Sequence, residues 1–455
     1  MWSLALDYLK TLDRSILIIK SIYNKDHGFA NSILNMPLIQ TNTRPDYATA
    51  KEALALLKVQ PQTLYTYVSR GLVRSISQPG LKDKLYLKED LERLHARSKA
   101  RNGHGPAAAS AMNWGDPIIP TSITEITPEG PKFRGHNVIE LAKSGASFES
   151  VTELLWKGVI TANHPGWPGI KNHEKIMALT KFIDTNISDE FLEVLASITL
   201  HLGLLSGSIS ERLFVGNTTA AGHEIIQTLT GCFGYISQKR RYTPIKEGQS
   251  IAAGLTQALS LDSTDENHEI FRSILVVLAD HELSPGTLAA RVAASSGCTL
   301  HSCIASAICT SSGVKIGRLY EQVDSFFEQY QTSQDMIERA NQLQRQGKVA
   351  AGFNHPLYPR GDPRGRYLMN RVQQLRKNHE ALDRACEFSE YMTAEHQCHP
   401  RHEFAIVALT RSMGLPKQTP AALFVLARIA GWVAHVQEQR LSSMLLRPRA
   451  KFIAS

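Results

Sequence analysis

The chain has 455 residues, a formal net charge of +8, 43% apolar and 20% charged residues. Such a composition buries a large core, which excludes disorder as the main state, and the length suggests about two to four domains. No run reaches the roughly 18 uninterrupted apolar residues that span a bilayer, and Asp7 and Lys10 interrupt an apolar N-terminus that lacks a basic n-region and a cleavage site. Neither membrane association nor a signal peptide is expected. Six cysteines are sparse, and Cys298, Cys303 and Cys309 suit helix packing better than a disulfide framework, so a reducing cytoplasmic location is expected.

Residues 1–45 are a weakly patterned extension, with Met36 a candidate start because the recognisable pattern begins beyond it. Residues 46–101 are a basic unit with 11 Lys/Arg against 6 Asp/Glu. In DYATAKEALALLKVQPQTLYTYVSRGLV, Thr49 is placed to cap a helix whose Ala53, Leu56 and Leu57 face inward. Pro61 opens a second helix with Leu64, Tyr67 and Val68 inward and Gln62 among its polar leading residues. A two-strand wing around Pro79-Gly80 and a helix from Lys88 follow. The TAKEAL…VQPQTLYTYVSRGLV run and the later LYLKEDLERL resemble the winged helix-turn-helix of the MerR/excisionase class. That resemblance implies DNA binding, with Gln62 facing the groove and Arg70, Arg74, Lys82 and Lys84 on phosphates. A protein-docking role is the bland alternative.

Residues 102–111 (NGHGPAAASA) read as a linker. Beyond it the pattern is mainly α. Helical spacing covers Phe191–Leu205, Gly286–Ser312, Tyr320–Gln346 and Pro420–Gln439, while 117–133 alternates like a hairpin. Three segments carry chemistry. In ADHELSPG, His281 lies between two acids, ahead of a helix that starts at Ser284-Pro285. In GFNHPLYPRGDPRGR, glycines and prolines force a loop that presents His355, Arg360 and Arg364. In LFVLARIAGWVAHVQEQRL, Arg428 interrupts an apolar stripe and requires an anionic partner, and Arg447 follows near the terminus. Together they describe a site for a small polyanion. His396, Cys398, His399 and His402 lie close together, but not at a standard zinc spacing, so no metal is expected.

The set resembles citrate synthase from about Asn113 to Lys451, through GPKFRGHNVIELA, SFESVTELLWKG, ADHEL, GFNH…DPR and ARIAGWVAHVQEQ…LLRP. The resemblance implies a mainly α, citrate-synthase-like two-domain dimer preceded by the small winged helix-turn-helix domain. The large domain would take residues 112–317 and 414–455, and the small mobile one 318–413. His281, His355, Arg364 and Arg428 match positions that bind the 2-oxo dicarboxylate oxaloacetate, with Arg447 supplied by the partner subunit. An acyl-CoA would lie over Gly313–Gly317 and Gly352–Arg360, near Lys315 and Arg360. No cofactor is implied, since the acyl-CoA is a substrate. The implied reaction is a Claisen-type condensation, a C-acyltransfer, followed by thioester hydrolysis.

Two positions depart from the family pattern. Aligned without gaps from Ala294, the enolate-stabilising histidine of the Gly-Pro-Leu-His-Gly loop becomes Ile316. The aspartate base of the Pro-Asn-Val-Asp-Phe loop becomes Glu403. One lost oxyanion donor costs about 10²–10³ in rate, and a carboxylate displaced by about 1 Å costs about 10² more. The expectation is therefore either a condensing enzyme of weak or altered activity, or a metabolite-sensing DNA-binding transcription regulator that has lost turnover.

Overall fold

A computed structural model describes residues 47–69, 73, 75–77, 84–88, 91, 119–161, 166–170, 173–180, 190–205, 215–375, 379–442 and 444–448. The extension 1–45, the linker 102–111, Arg70, Arg74 and Lys82, and most of the helix expected from Lys88 lie outside these residues. The chain forms two units, residues 1–117 with 449–455, and residues 118–448.

In the first unit, β1 (Tyr47–Ala48) leads into α1 (Ala50–Leu57) and α2 (Pro61–Ser69), followed by β2 (Ser75–Ser77) and β3 (Lys84–Leu87). Thr49 caps α1 in a reciprocal box with Glu52, satisfying two orphan helix donors, and Lys58 ends it in left-handed backbone. The strands pair antiparallel in the order β1-β3-β2. Pairing of Tyr47 and Ala48 with Leu87 and Tyr86 adds a strand that alternation alone did not reveal. Ala53, Leu57, Leu64, Val73, Tyr86 and Leu91 form a small core of their own.

The second unit opens with a three-stranded antiparallel meander, β4 (Thr124–Thr127), β5 (Gly130–Phe133) and β6 (His136–Asn137). Helices follow: α3 (Val138–Lys143), α4 (Phe148–Lys157), α5 (His173–Thr180), α6 (Phe191–Leu205), α7 (Val215–Ile236), α8 (Ile251–Ala258), α9 (Asp265–Leu278), α10 (Pro285–Ser295) and α11 (Leu300–Ser311). Then come α12 (Gly317–Gln329), α13 (Ser333–Arg345), α14 (Pro363–Leu375), α15 (Glu380–His396), α16 (His402–Ser412) and α17 (Thr419–Leu441). Two expected helices divide. Gly286–Ser312 splits into α10 and α11, where Gly297 turns left-handed and Thr299 caps the next helix. Tyr320–Gln346 belongs to α12 and α13, because Thr332 and Asp335 form a second capping box. Apolar spacing runs across both breaks because both halves face one core. Helix α17 is long and apolar enough to cross a membrane, but its whole apolar window is buried inside the protein.

Candidate active site

The site begins where α9 ends. Asp280 is fully buried, and its Oδ2 accepts from Thr124 Oγ1 at 2.5 Å and from the Glu282 N–H at 3.1 Å, and pairs with His435 Nε2 at 3.3 Å. Thr124 stands on β4 and His435 on α17, so strand and helix together fix the turn that carries His281. Gly431 allows this approach. Its N–H donates to the Ala279 carbonyl at 2.9 Å, and a Cβ there would meet Asp280 Oδ1 at 2.1 Å. Arg291 on α10 turns to Glu438, Gln439 and His435.

His281 Nε2 lies 3.0 Å from the Tyr358 hydroxyl, and its ring stands edge-on to His355 at 5.4 Å between centroids. His355 and Tyr358 come from the loop between Gly352 and Asp362. Gly352 has φ +83°, and a Cβ there would press on Val323 at 2.9 Å, so this bend requires glycine. His355 Nδ1 accepts the Leu357 N–H at 3.2 Å, which leaves Nε2 as a proton donor. Burial, with Arg364 next in effect, draws the His355 pKa down to about 3 and holds that of His281 well below the usual imidazole range. Both rings are neutral near pH 7.

Asp362 and Arg364 are both buried at the start of α14. Arg364 donates to the Asp362 carboxylate through Nε (3.0 Å) and Nη2 (2.9 Å), and its guanidinium sits 5.7 Å from the Tyr358 ring centre. His402 Nδ1 holds the same carboxylate at 3.2 Å. Arg364 Nη1 has no partner among the described residues. Arg428 on α17 is 2% exposed, lies 5.0 Å over Phe424, and likewise leaves Nε and Nη1 unpaired among the described residues. Burial lowers its pKa to about 10, against the opposing pull of Asp280. The fields of Arg364 and Arg428 both reach His281. Two neutral imidazoles and two guanidinium groups with unused N–H bonds therefore converge, an arrangement suited to a dianionic carbonyl compound.

Glu403 opens α16 and is buried. Arg401 grips it through Nε at 3.1 Å and through Nη2, and His402 Nδ1 is 3.3 Å away. Burial pushes its carboxyl up, but His402 and Arg401 outweigh this and hold it at about 2. Ile316 is the residue before α12 and packs against the core edge. Lys315, Arg360 and Arg447 are exposed. Three of the four residues weighed as zinc ligands turn to different partners: His396 to Asn341, Cys398 to Asn354 and Gln344, and His402 to Asp362. Among the described residues no group of three or more such side chains gathers.

Sequence reasoning missed Asp280, Tyr358 and Asp362 as members of the site. Tyr358 and Asp362 stood inside the quoted loop, but nothing local indicated their distant partners.

The family model described as citrate synthase, C-terminal domain, matches residues 112–449. Citrate synthase 2 of Bacillus subtilis is 24% identical over 357 residues, covering 73% of this chain and 92% of that protein. The 2-methylcitrate synthase of Shewanella oneidensis is 25% identical over 346 residues, covering 73% and 91%. Among solved structures, citrate synthase from Thermotoga maritima shares the fold with a TM-score of 0.63 at 20% identity, covering 78% of this chain and 96% of that one. Citrate synthase from Thermoplasma acidophilum, solved as a ternary complex with carboxymethyl coenzyme A and oxaloacetate, aligns with a TM-score of 0.59 at 20% identity, covering 74% and 94%.

Proposed function

This chain belongs to the citrate synthase family, and from that premise we propose that it condenses a short acyl-CoA with oxaloacetate or a close 2-oxo dicarboxylate. The observation that carries the reading is the pair of buried guanidinium groups, Arg364 and Arg428, whose unpaired N–H bonds share one site with His281 and His355. Leaving such donors buried and unpaired is costly, and a dicarboxylate relieves the cost.

In this reading the carboxylates bind Arg364 and Arg428, with Arg447 contributed by the second subunit of a homodimer. His355 Nε2–H donates to the keto oxygen. Glu403 removes a proton from the acyl methyl, and the resulting carbon nucleophile forms the C–C bond at the polarised keto carbon. The new alkoxide takes up a proton. Water then cleaves the thioester, placing its oxygen on the new carboxylate and releasing the CoA thiol. The CoA phosphates have Lys315 and Arg360 within the implied binding loops. A cavity of about 520 Å³ lined by Val314, Arg318, Arg339 and Ala351 lies beside the first loop. Residues 318–413 would be the part that closes.

Thiol release measured with acetyl-CoA and propionyl-CoA plus oxaloacetate tests this. Turnover with at least one of them is expected. No thiol release, together with a rise in melting temperature on adding oxaloacetate, would replace it with the ligand-sensing regulator.

A second reading concerns the N-terminal unit. Its three-stranded β1-β3-β2 sheet beside two short helices, with Gln62 on α2 and Lys84 on β3 exposed, supports a winged helix-turn-helix that binds DNA.

A further inference from the structure

Position 316 brings no donor to the site, but the residue one turn further along α12 does. Tyr320 is 1% exposed, and its hydroxyl has no hydrogen-bond partner among the described residues. Long side chains on a helix lean toward its N-terminus and cover the turn before their own Cα. A tyrosine at 320 therefore leans back toward the turn that begins at residue 316.

The surroundings place this hydroxyl. Its ring packs on His402 at 6.3 Å and on Phe424 at 5.8 Å, and Phe424 in turn lies under Arg428. The charged groups that act on the phenol are Glu403, then Arg428, Arg364 and Arg401. It thus lies within the fields of the proposed base and of both arginines. The unpaired groups here, Tyr320 Oη–H, Arg364 Nη1 and Arg428 Nε and Nη1, can all donate, and Glu403 is already engaged with Arg401. Such a gap accepts anionic oxygen. The arginines suffice for the carboxylates of the oxo acid. The phenol, whose foremost charged neighbour is Glu403, is left for the acyl group that Glu403 deprotonates.

We propose that Tyr320 donates a hydrogen bond to the enolate oxygen of the acyl-CoA, replacing the imidazole that the family carries at the position of Ile316. This rests on the condensation reading above. Glu403 takes one methyl proton, the C–H electron pair becomes the C=C bond, and the carbonyl π pair moves onto the thioester oxygen. That oxygen accepts from the phenol, which keeps its proton. When the enolate carbon attacks the keto carbon, the pair returns and the carbonyl reforms. Burial, reinforced by Glu403, keeps the phenol protonated. A neutral phenol can act as an oxyanion donor in this way.

Tyr320→Phe removes one oxygen and preserves the ring. Its kcat for thiol release should fall about 10²–10³-fold. Its affinity for carboxymethyl-CoA, which carries an anionic oxygen near the acyl position, should weaken about tenfold or more. Affinities for CoA itself and for oxaloacetate should stay within about twofold, which a merely structural role would not predict. In an Ile316→His background, the same change should cost less than about tenfold. A wild-type enzyme that turns over while Tyr320→Phe keeps its rate overturns the proposal. So does loss of oxaloacetate affinity, which would make Tyr320 a carboxylate ligand. Absence of thiol release from the wild type with either acyl-CoA fails the condensation reading itself and removes this one with it.

Discussion

Asp362 accepts from two of the three guanidinium nitrogens of Arg364, and the third, Nη1, has no partner among the described residues, with all of these atoms buried. The carboxylate is thereby both the counter-charge and the jig for the guanidinium. Breaking such a pair from one side typically costs about 3–5 kcal/mol. Asp362→Asn should lower the urea-unfolding free energy at pH 7 by that amount. Burial raises the Asp362 pKa, but Arg364 and His402 outweigh it and hold the group well below its usual value. Its contribution is complete above the unfolded pKa of about 3.9 and is lost as pH falls toward the folded value. The gap between wild type and variant should therefore narrow below about pH 4. A gap unchanged down to pH 2.5 would mean that the charge is not what matters.

Oxaloacetate affinity should show no inflection near pH 6.5, where an ordinary imidazole titrates. His281 and His355 are both held below that range by burial and by Arg364. The unfolded chain takes up their protons first, so the stability that comes from keeping them neutral is present above about pH 6.5 and declines as pH falls below it. His355→Gln should consequently lose about 2 kcal/mol less than wild type between pH 7 and pH 5, read by urea unfolding. An equal loss in both proteins would show that His355 protonates freely in the fold.

In the proposed reading, Arg428 is a cation held for a ligand at the expense of the empty protein. Arg428→Met keeps the apolar stem on Phe424 and removes the buried unpaired N–H groups. We expect a more stable apo protein, by about 1–2 kcal/mol, together with loss of the oxaloacetate-induced shift in melting temperature. A destabilised variant would point to an ion pair with Asp280 as the main role of Arg428.

What was legible in the sequence was local. Ser284-Pro285 announced the start of α10, and Gly352 the bend before His355. What was not legible depends on contacts across the chain. Asp280 meets Thr124 from 156 residues away, and His281 meets Tyr358 from 77. His402 looked like one of a histidine–cysteine cluster and is instead the second support of Asp362, 40 residues distant. Tyr320 was unreadable for a different reason. At helical spacing a tyrosine is ordinary core, and only an unpaired hydroxyl in three dimensions separates the two meanings.

For the N-terminal unit, Lys84→Ala should weaken DNA binding at all sequences and reduce the slope of log K against log salt by about 0.9. Gln62→Ala should instead relax sequence preference with little change in that slope. Binding that ignores salt would redirect attention to a protein partner.

The grip of Arg401 on Glu403 bears on how fast the proposed reaction runs. A carboxylate held at about 2 is a weak proton acceptor at pH 7, since general-base catalysis improves as the pKa approaches the working pH. Arg401→Asn removes both guanidinium hydrogen bonds and leaves His402 Nδ1 within 3.3 Å to keep the side chain in place. The Glu403 pKa should rise toward the ordinary value of about 4.3, and the acidic limb of the thiol-release profile should move up with it. At pH 7, kcat should increase about threefold to tenfold, because roughly half of a gain of about two pK units in basicity is realised in the transition state. A fall in kcat with the acidic limb unmoved would identify Arg401 as the group that aims the carboxylate, its hold on Glu403 then serving geometry at the expense of basicity.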